Sequence, residues 1–310
     1  MGIGADALAL LVQLKREGYV ARAGSIIEIG AQQLSNSFLR ADALIAELGE
    51  LYGVTGKLSL PAPIPTHVAH GVLEHQAVQA PLSRPFWEWL GYRYASVDID
   101  GSPDSLPLDL NYDEAPEAMR GRFDLVTNFG TTEHVANQMN AFRVIHQLAA
   151  PGALMTHHLP AQGMFNHGLI NYNPKFFWML ARSNGYTMLH MDFRSGEEYY
   201  ELPDNILDFA VKADAGARVR LKDYKACDCM AVVVLRKTYD IAFVPPLDVP
   251  TGTPTDDAVL RQRYWTVFAP AAFNGLAVHT VPNHGEPVER RAQPARLRGY
   301  VRRTLARLFH

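Results

Sequence analysis

Two rhythms alternate along this chain. Apolar residues recur at helical spacing in some stretches and form short continuous runs in others, and the alternation predicts an α/β fold. Leu8, Leu11, Val12 and Leu14 mark a first amphipathic helix over 6–17, with Lys15 and Arg16 in its last turn and Gly18 as its stop. The run SIIEI at Ser25–Ile29 reads as a buried parallel strand, and Gly30 lets the backbone turn sharply after it. A helix is predicted over 35–51, with Phe38, Leu44, Leu48 and Leu51 inward. Further strands are predicted near 94–97, 106–111, 122–129, 153–158, 187–193 and 230–236, with helices ending near Leu148 and spanning 175–184. This order predicts a doubly wound sheet, whose ligands bind at the carboxyl ends of its strands.

Polarity breaks the pattern in three places. Between Gly53 and Pro85 the chain is dense in proline and histidine (Pro61, Pro63, Pro65, His67, His70, His75), which forbids a central strand and interrupts helices. Residues 54–92 are expected to form an insertion, its loop acting as a lid and its cluster Phe86, Trp87, Trp89 and Tyr92 returning to the core on a short helix. After Thr238 the chain turns proline-rich, so 1–240 is expected to be the main domain and 241–310 a C-terminal extension. Within that extension, Arg290, Arg291, Arg296, Arg298, Arg302, Arg303 and Arg307 alternate with Leu297, Tyr300, Val301, Leu305 and Leu308. A basic amphipathic helix of this kind suits an anionic membrane surface, a partner protein, or packing on its own domain.

Composition narrows the class. Hydrophobic residues make up 48% and charged residues 20% of 310, so a packed core is expected. A net charge of −3 gives no argument for nucleic acid. Only two cysteines occur, Cys227 and Cys229, which excludes a disulfide framework and fits a reducing compartment. No apolar run reaches ~18 residues, and the N-terminus lacks a basic stretch before its apolar one. A cytoplasmic location is the expectation.

Candidate chemistry gathers at the predicted strand ends. Glu28 and Gly30 close the first strand, and Asp98 closes YASVD, 68 residues beyond Gly30 where ~20 is usual. The proposed insertion accounts for the excess. A carboxylate there can accept hydrogen bonds from both ribose hydroxyls.

Four segments in this order, IIEIG (26–30), SVDI (96–99), FDLVTNFGTTEHV (123–135) and LAAPGALMTHHLP (148–160), resemble the class I S-adenosylmethionine-dependent methyltransferases. The resemblance covers roughly residues 20–240. It implies a seven-stranded Rossmann-like sheet and methyl transfer from S-adenosyl-L-methionine. It also implies that Glu28 and Gly30 lie beneath the methionine portion, Asp98 holds the ribose, and Ile99 packs on adenine. Asp109 and Leu110 would flank the adenine amino edge, Asn128, Phe129 and Gly130 would face the methionine amino group, and His134 would orient that loop. The sequence departs from the family at its second glycine, where Gln32 stands, followed by Gln33.

An oxygen acceptor must lose a proton, which histidine can take near neutral pH. His157 and His158 close the fifth strand and point to opposite faces; His167 lies in the next loop. His158 or His167 is expected to be the general base, with His157, Asn171 and Tyr172 near the acceptor. The alternative for each is a structural hydrogen bond to the loop. His157, His158, His167 and Glu133 could also offer metal ligands, but their spacing matches no known pattern, so no required metal is expected. The expected acceptor is a small or glycan-like polar molecule, lying between the 54–92 insertion and the 160–175 loop. Two rivals stand beside this reading. A nicotinamide-dependent oxidoreductase would want a fuller glycine fingerprint, and a non-catalytic nucleoside-binding protein could keep the fold without turnover.

Overall fold

In the computed structural model, residues 2–20, 24–65, 79–100, 102–164, 167–195, 198–200, 229–249 and 256–268 are described. The basic segment 289–310, His67, His70, His75 and Cys227 fall outside them, while Cys229 is buried in a strand. The described residues form two units, one within Met1–Asp109 and one within Leu110–Pro287.

In the first unit, α1 (Ala5–Arg16) buries its apolar face and ends in a basic last turn, favourable at the helix carboxyl end. Strand β1 (Ser25–Ile29) is buried throughout, as a parallel strand covered on both faces must be. The expected helix over 35–51 is two helices, α2 (Asn36–Leu39) and α3 (Asp42–Tyr52). Ser35 caps the first, accepting from the Phe38 amide, and Ala41 leaves helical geometry before Asp42 opens the second. Within the 54–92 stretch, β2 (Ile64–Pro65) pairs with β3 (Gln79–Ala80), and α4 (Arg84–Trp89) buries Phe86 and Trp87. Phe86 meets Phe38 edge-on at 5.0 Å. Strand β4 (Arg93–Asp98) runs parallel to β1, and the two-residue β5 (Leu106–Pro107) runs parallel to β4.

The second unit opens on β6 (Phe123–Phe129). The chain then makes a single 3-10 turn, Thr132–His134, before α5 (Gln138–Leu148). The helix expected to end near Leu148 does so, and it begins at Gln138. Asn137 is the reason, because its side chain accepts from the Asn140 amide and begins the helix there. Strand β7 (Ala149–Gln162) runs parallel to β6, and its Pro-Gly break becomes a bulge, Gly152 holding φ +85. Helix α6 (Pro174–Asn184) begins at a cap by Asn173 and ends at Gly185 in the left-handed region. Strands β8 (Thr187–Ser195), β9 (Glu198–Tyr200) and β10 (Cys229–Arg236) complete the unit, in the order β6-β7-β10-β8-β9. Strand β10 is antiparallel to both neighbours.

All seven expected strands form, with β9 added beside β8, and the fold is Rossmann-like. Two short helices follow, α7 (Ala258–Arg263) and α8 (Trp265–Phe268). Residues 241–249 lie against α5 and α6: His146 bonds the Ile241 carbonyl at 2.7 Å, and Arg182 donates to the carbonyls of Leu247 and Val249. No helix among the described residues is long and apolar enough to cross a membrane.

Candidate functional site

In the first unit the chemistry centres on the turn after β1. Gly30 holds φ +79, a left-handed geometry that a side chain would strain, and its amide donates to the Val97 carbonyl at 2.8 Å. One residue on, the Ala31 amide donates to Asp98 Oδ2 at 2.7 Å, while the Ile99 and Asp100 amides donate to Oδ1 at 2.7 and 3.3 Å. The Asp98 carboxylate thus ties the glycine turn to the tip of β4. A carboxylate has about four lone-pair sites, so three amide donors leave capacity for a hydroxyl. Burial, with the Asp100 charge adding to it, raises the Asp98 carboxyl from its ordinary range, against the lowering effect of the Ala31 amide. Next along the chain, Ile99 is 68% exposed, an apolar side chain presented at the strand tip. These features fit an adenosine: a carboxylate with spare acceptor capacity, an open apolar face, and a side-chain-free turn.

Glu28 does something else. It is fully buried, with Oε1 accepting from Trp87 Nε1 at 2.7 Å and Oε2 from Ser83 Oγ at 2.7 Å, Tyr94 Oη at 2.8 Å and the Gln32 amide at 3.0 Å. Four protein donors occupy it, which makes it an anchor of the floor. Sequence reading placed Glu28 correctly at the strand end but missed Ser83, Trp87 and Tyr94. The usable signal was the acid itself, since a carboxylate inside an apolar strand has to find donors.

The two glutamines explain the missing second glycine. The Gln32 side-chain amide donates to the carbonyls of Gly30 and Ile29 at 3.0 and 3.3 Å, bracing the turn from within. Gln33 reaches instead to the carbonyls of Ile64 and Ala80, tethering both strands of the β2–β3 hairpin. Asp109 is half-buried at the end of this unit.

In the second unit Asn128, expected to face a ligand, is fully buried and internally bonded. Its Oδ1 accepts from the Thr132 amide at 3.3 Å, and its Nδ2 donates to Thr132 Oγ1 at 2.9 Å. The same Nδ2 lies 3.2 Å from His157 Nδ1. An amide nitrogen can only donate, so His157 Nδ1 is the acceptor and the ring is neutral with its proton on Nε2. Burial pushes the His157 pKa down to about 3, the neighbouring His158 adding a little. Packed between Phe142 and Phe177, His157 belongs to the core.

Tyr172 is also a strut. Its hydroxyl lies 2.5 Å from Gln138 Oε1, to which it donates, and 2.8 Å from Thr132 Oγ1, and its backbone amide donates to the Pro160 carbonyl at 2.7 Å. Asn171, one residue earlier, is exposed, while Leu110 is buried with its carbonyl bonded by Asn140 Nδ2 at 3.0 Å. Gly130 holds φ +81 and donates its amide to the His158 carbonyl at 3.0 Å. Alternation along β7 turns His158 to the face opposite His157. There its ring sits 4.4 Å from that of Phe129, with 8% of the residue exposed.

His167 has a different neighbourhood. The loop 167–170 is fixed by the Leu169 and Ile170 amides, which both donate to the Glu133 carbonyl, at 2.7 and 3.1 Å. This holds His167 Nε2 3.5 Å from Glu133 Oε1, and His134 Nε2 lies 4.0 Å from the same oxygen. Burial raises the Glu133 pKa to about 7. Gly168 allows the approach: a Cβ there would stand 2.8 Å from Glu133 Cγ, and its φ is +70. The loop closure that brings His167 to Glu133 depends on a glycine whose partner lies 35 residues away along the chain.

Residues 72–205 match a family model described as a methyltransferase domain. No curated protein matches the chain. Among solved structures, one similar chain is the 1,6-didemethyltoxoflavin-N1-methyltransferase of Burkholderia thailandensis, with bound 1,6-didemethyltoxoflavin and S-adenosylhomocysteine. It shows 13% identity over 76% of this chain and 78% of that one, with a TM-score of 0.39. Another is a SAM-dependent methyltransferase from Archaeoglobus fulgidus, at 11% identity over 74% and 94% of the two chains, TM-score 0.36.

Proposed function

We propose, from the premise that this chain carries an S-adenosylmethionine-dependent methyltransferase domain of class I, that it methylates an oxygen of a small, polar, glycan-like acceptor. His158 takes the proton in this reading. S-adenosylmethionine, when bound, supplies a methyl group on a sulfonium, which leaves as a neutral thioether as the acceptor oxygen gains the methyl. The residues then have three tasks. Asp98 holds a ribose hydroxyl on the acceptor capacity its three amide donors leave, Ile99 offers an apolar face to the adenine, and Gly30 lets the ligand approach the backbone. Alignment of donor and acceptor in this way can contribute ~7–11 kcal/mol.

The observation that carries the assignment of the base is the division of labour between the adjacent histidines. His157 is locked neutral against Asn128 inside an aromatic core, whereas His158 lies on the other face of β7, with its carbonyl bonded to the amide of Gly130. His167 stands against Glu133 and is not needed as the base. Asn171, exposed beside the loop, is available to a polar acceptor. We place the enzyme in a reducing compartment, the cytoplasm, on its having only two cysteines, and assign the arginine-rich 289–310 segment to an anionic membrane surface, which liposome sedimentation with and without that segment tests.

The deciding experiment measures S-adenosylhomocysteine release with matched hydroxyl and amine acceptors, sugars and polyols among them. Turnover confined to hydroxyls, with methyl ether product by NMR, is expected. Turnover only with amines removes the oxygen assignment.

A further inference from the structure

Glu133 is a buried carboxyl with both oxygens short of partners. Its side chain is 0% exposed, yet beyond its own backbone amide neither carboxylate oxygen has a hydrogen-bond donor among them. A buried carboxyl in this condition costs several kcal/mol unless it stays protonated, gains a proton donor or meets a cation. Two imidazoles are positioned around it. The relevant atoms of Glu133, His134 and His167 all lie within 4.8 Å of one another, and the closest pair, Glu133 Oε1 and His167 Nε2, is 3.5 Å apart.

We propose that Glu133, His134 and His167 form a binding site for a divalent transition-metal ion of the zinc class. This departs from the sequence-based expectation that no metal is required. Two imidazole nitrogens and one carboxylate make a three-ligand donor set that leaves a coordination position open, the arrangement of catalytic rather than structural zinc. Bonds of ~2.0–2.1 Å in tetrahedral geometry put ligand atoms roughly 3.3–3.5 Å apart. The Glu133–His167 separation already has this value, and His134 Nε2 lies 4.0 Å from the same oxygen, on a side chain that is 53% exposed and meets the His167 ring edge-on at 5.5 Å. The donor set also selects the ion, since imidazole favours zinc-like cations over magnesium or calcium, which prefer oxygen ligands.

The site is held from two directions. Residues 167–170 are pinned to residue 133 by two backbone hydrogen bonds, and Gly168 packs directly on the Glu133 side chain, so the carboxylate and His167 cannot drift apart without unmaking the loop. His134 is adjacent in sequence on the 3-10 turn. An ion here would hold an acceptor hydroxyl in its open position and favour its ionised form near neutral pH. That role rests on the methyl-transfer reading; the binding itself does not.

The test uses the full chain, stripped with a chelator and then dialysed against Zn2+ and, separately, Co2+. One ion per chain is expected, with the intense visible absorption of four- or five-coordinate Co2+. Loss of a positioning partner alone typically costs 10–100-fold in metal affinity, so Glu133→Gln and His134→Gln should each weaken binding at least ~100-fold. Because His134 is largely exposed, its substitution spares the fold and keeps the test valid should Glu133→Gln misfold. Stoichiometry well below one, or a Co2+ spectrum that both variants leave unchanged, overturns the site. Calorimetry with S-adenosylhomocysteine on the stripped protein reports separately: absent nucleoside binding counts against the methyltransferase reading, absent metal against this one.

Discussion

Trp87 Nε1 donates a 2.7 Å hydrogen bond to Glu28 Oε1 across 59 residues of sequence, joining the inserted stretch's helix to the first strand. With Ser83, Tyr94 and the Gln32 amide it completes a set of four donors around one buried carboxylate. Glu28→Gln would place an amide N–H2 where donors already point. The cost should be about 2–4 kcal/mol, the range for leaving buried polar groups mismatched. Trp87→Phe removes one donor and should cost about 1–3 kcal/mol. Urea unfolding checks both. A midpoint shift at unchanged slope is the expected result, and an unshifted Glu28→Gln variant would show that the network does not stabilise the fold.

Asp98 is held by three backbone amides, so its position does not depend on a ligand being present. Asp98→Ala should weaken S-adenosylhomocysteine binding by roughly 10–150-fold, the equivalent of one or two charge-assisted hydrogen bonds at about 1.5–3 kcal/mol in all. Asp98→Asn retains an oxygen for the Ala31 amide and should lose less. Isothermal calorimetry distinguishes the two. Equal affinity in wild type and Asp98→Ala removes the ribose assignment.

The acid side of the stability curve has a specific origin. His146 is buried, its Nδ1 2.6 Å from Tyr186 Oη and its Nε2 2.7 Å from the Ile241 carbonyl. A carbonyl only accepts, so Nε2 carries the proton and Nδ1 accepts from the tyrosine. Burial, then the nearby Lys237 charge, lowers its pKa to about 3. The unfolded chain therefore takes up this proton as pH falls below about 6.5, while the native protein refuses it until near 3. Stability is full above 6.5 and declines through that window, by up to about 5 kcal/mol from this residue. His157, lowered to about 3 as well, acts in the same direction. His146→Gln keeps a donor and an acceptor but does not titrate, so its unfolding midpoint should fall less steeply between pH 7 and 4. A slope identical to wild type would show that His146 is not the group responsible.

What the sequence disclosed and what it hid separate along a physical line. The strands were legible because a strand covered on both faces has to be largely apolar, whether parallel like SIIEI and FDLV or antiparallel like VVVL. Gly30 and Asp98 were legible because strand-tip chemistry is local: a turn needing positive φ and an acid at the next strand end. The break between α2 and α3 was not, since nothing in the apolar periodicity registers Ala41 leaving helical geometry. The internal partners of Asn128, His157 and Tyr172 were hidden too. A polar residue reads as available for a ligand until its partner is known: Asn128 bonds Thr132 on the turn that follows, His157 bonds Asn128 on the neighbouring strand, and Tyr172 bonds Gln138 of α5.

Gly168 offers the sharpest check on how the second unit holds His167. Its φ of +70 is strained for any side chain, and an added Cβ would lie 2.8 Å from Glu133 Cγ and 3.0 Å from the Glu133 carbonyl oxygen. Neither atom is the loose end of a flexible side chain, so Gly168→Ala has to move the loop. A destabilisation of about 1–3 kcal/mol is expected from the backbone strain and the contact together. The displacement should also break the hydrogen bonds from Leu169 and Ile170 to the Glu133 carbonyl, so hydrogen exchange at those two amides should accelerate while exchange in β6 and β7 stays slow. Unchanged protection at Leu169 and Ile170 would mean that the loop absorbs a methyl group without losing its grip on Glu133, and that the close approach of His167 to the carboxylate is not set by this glycine.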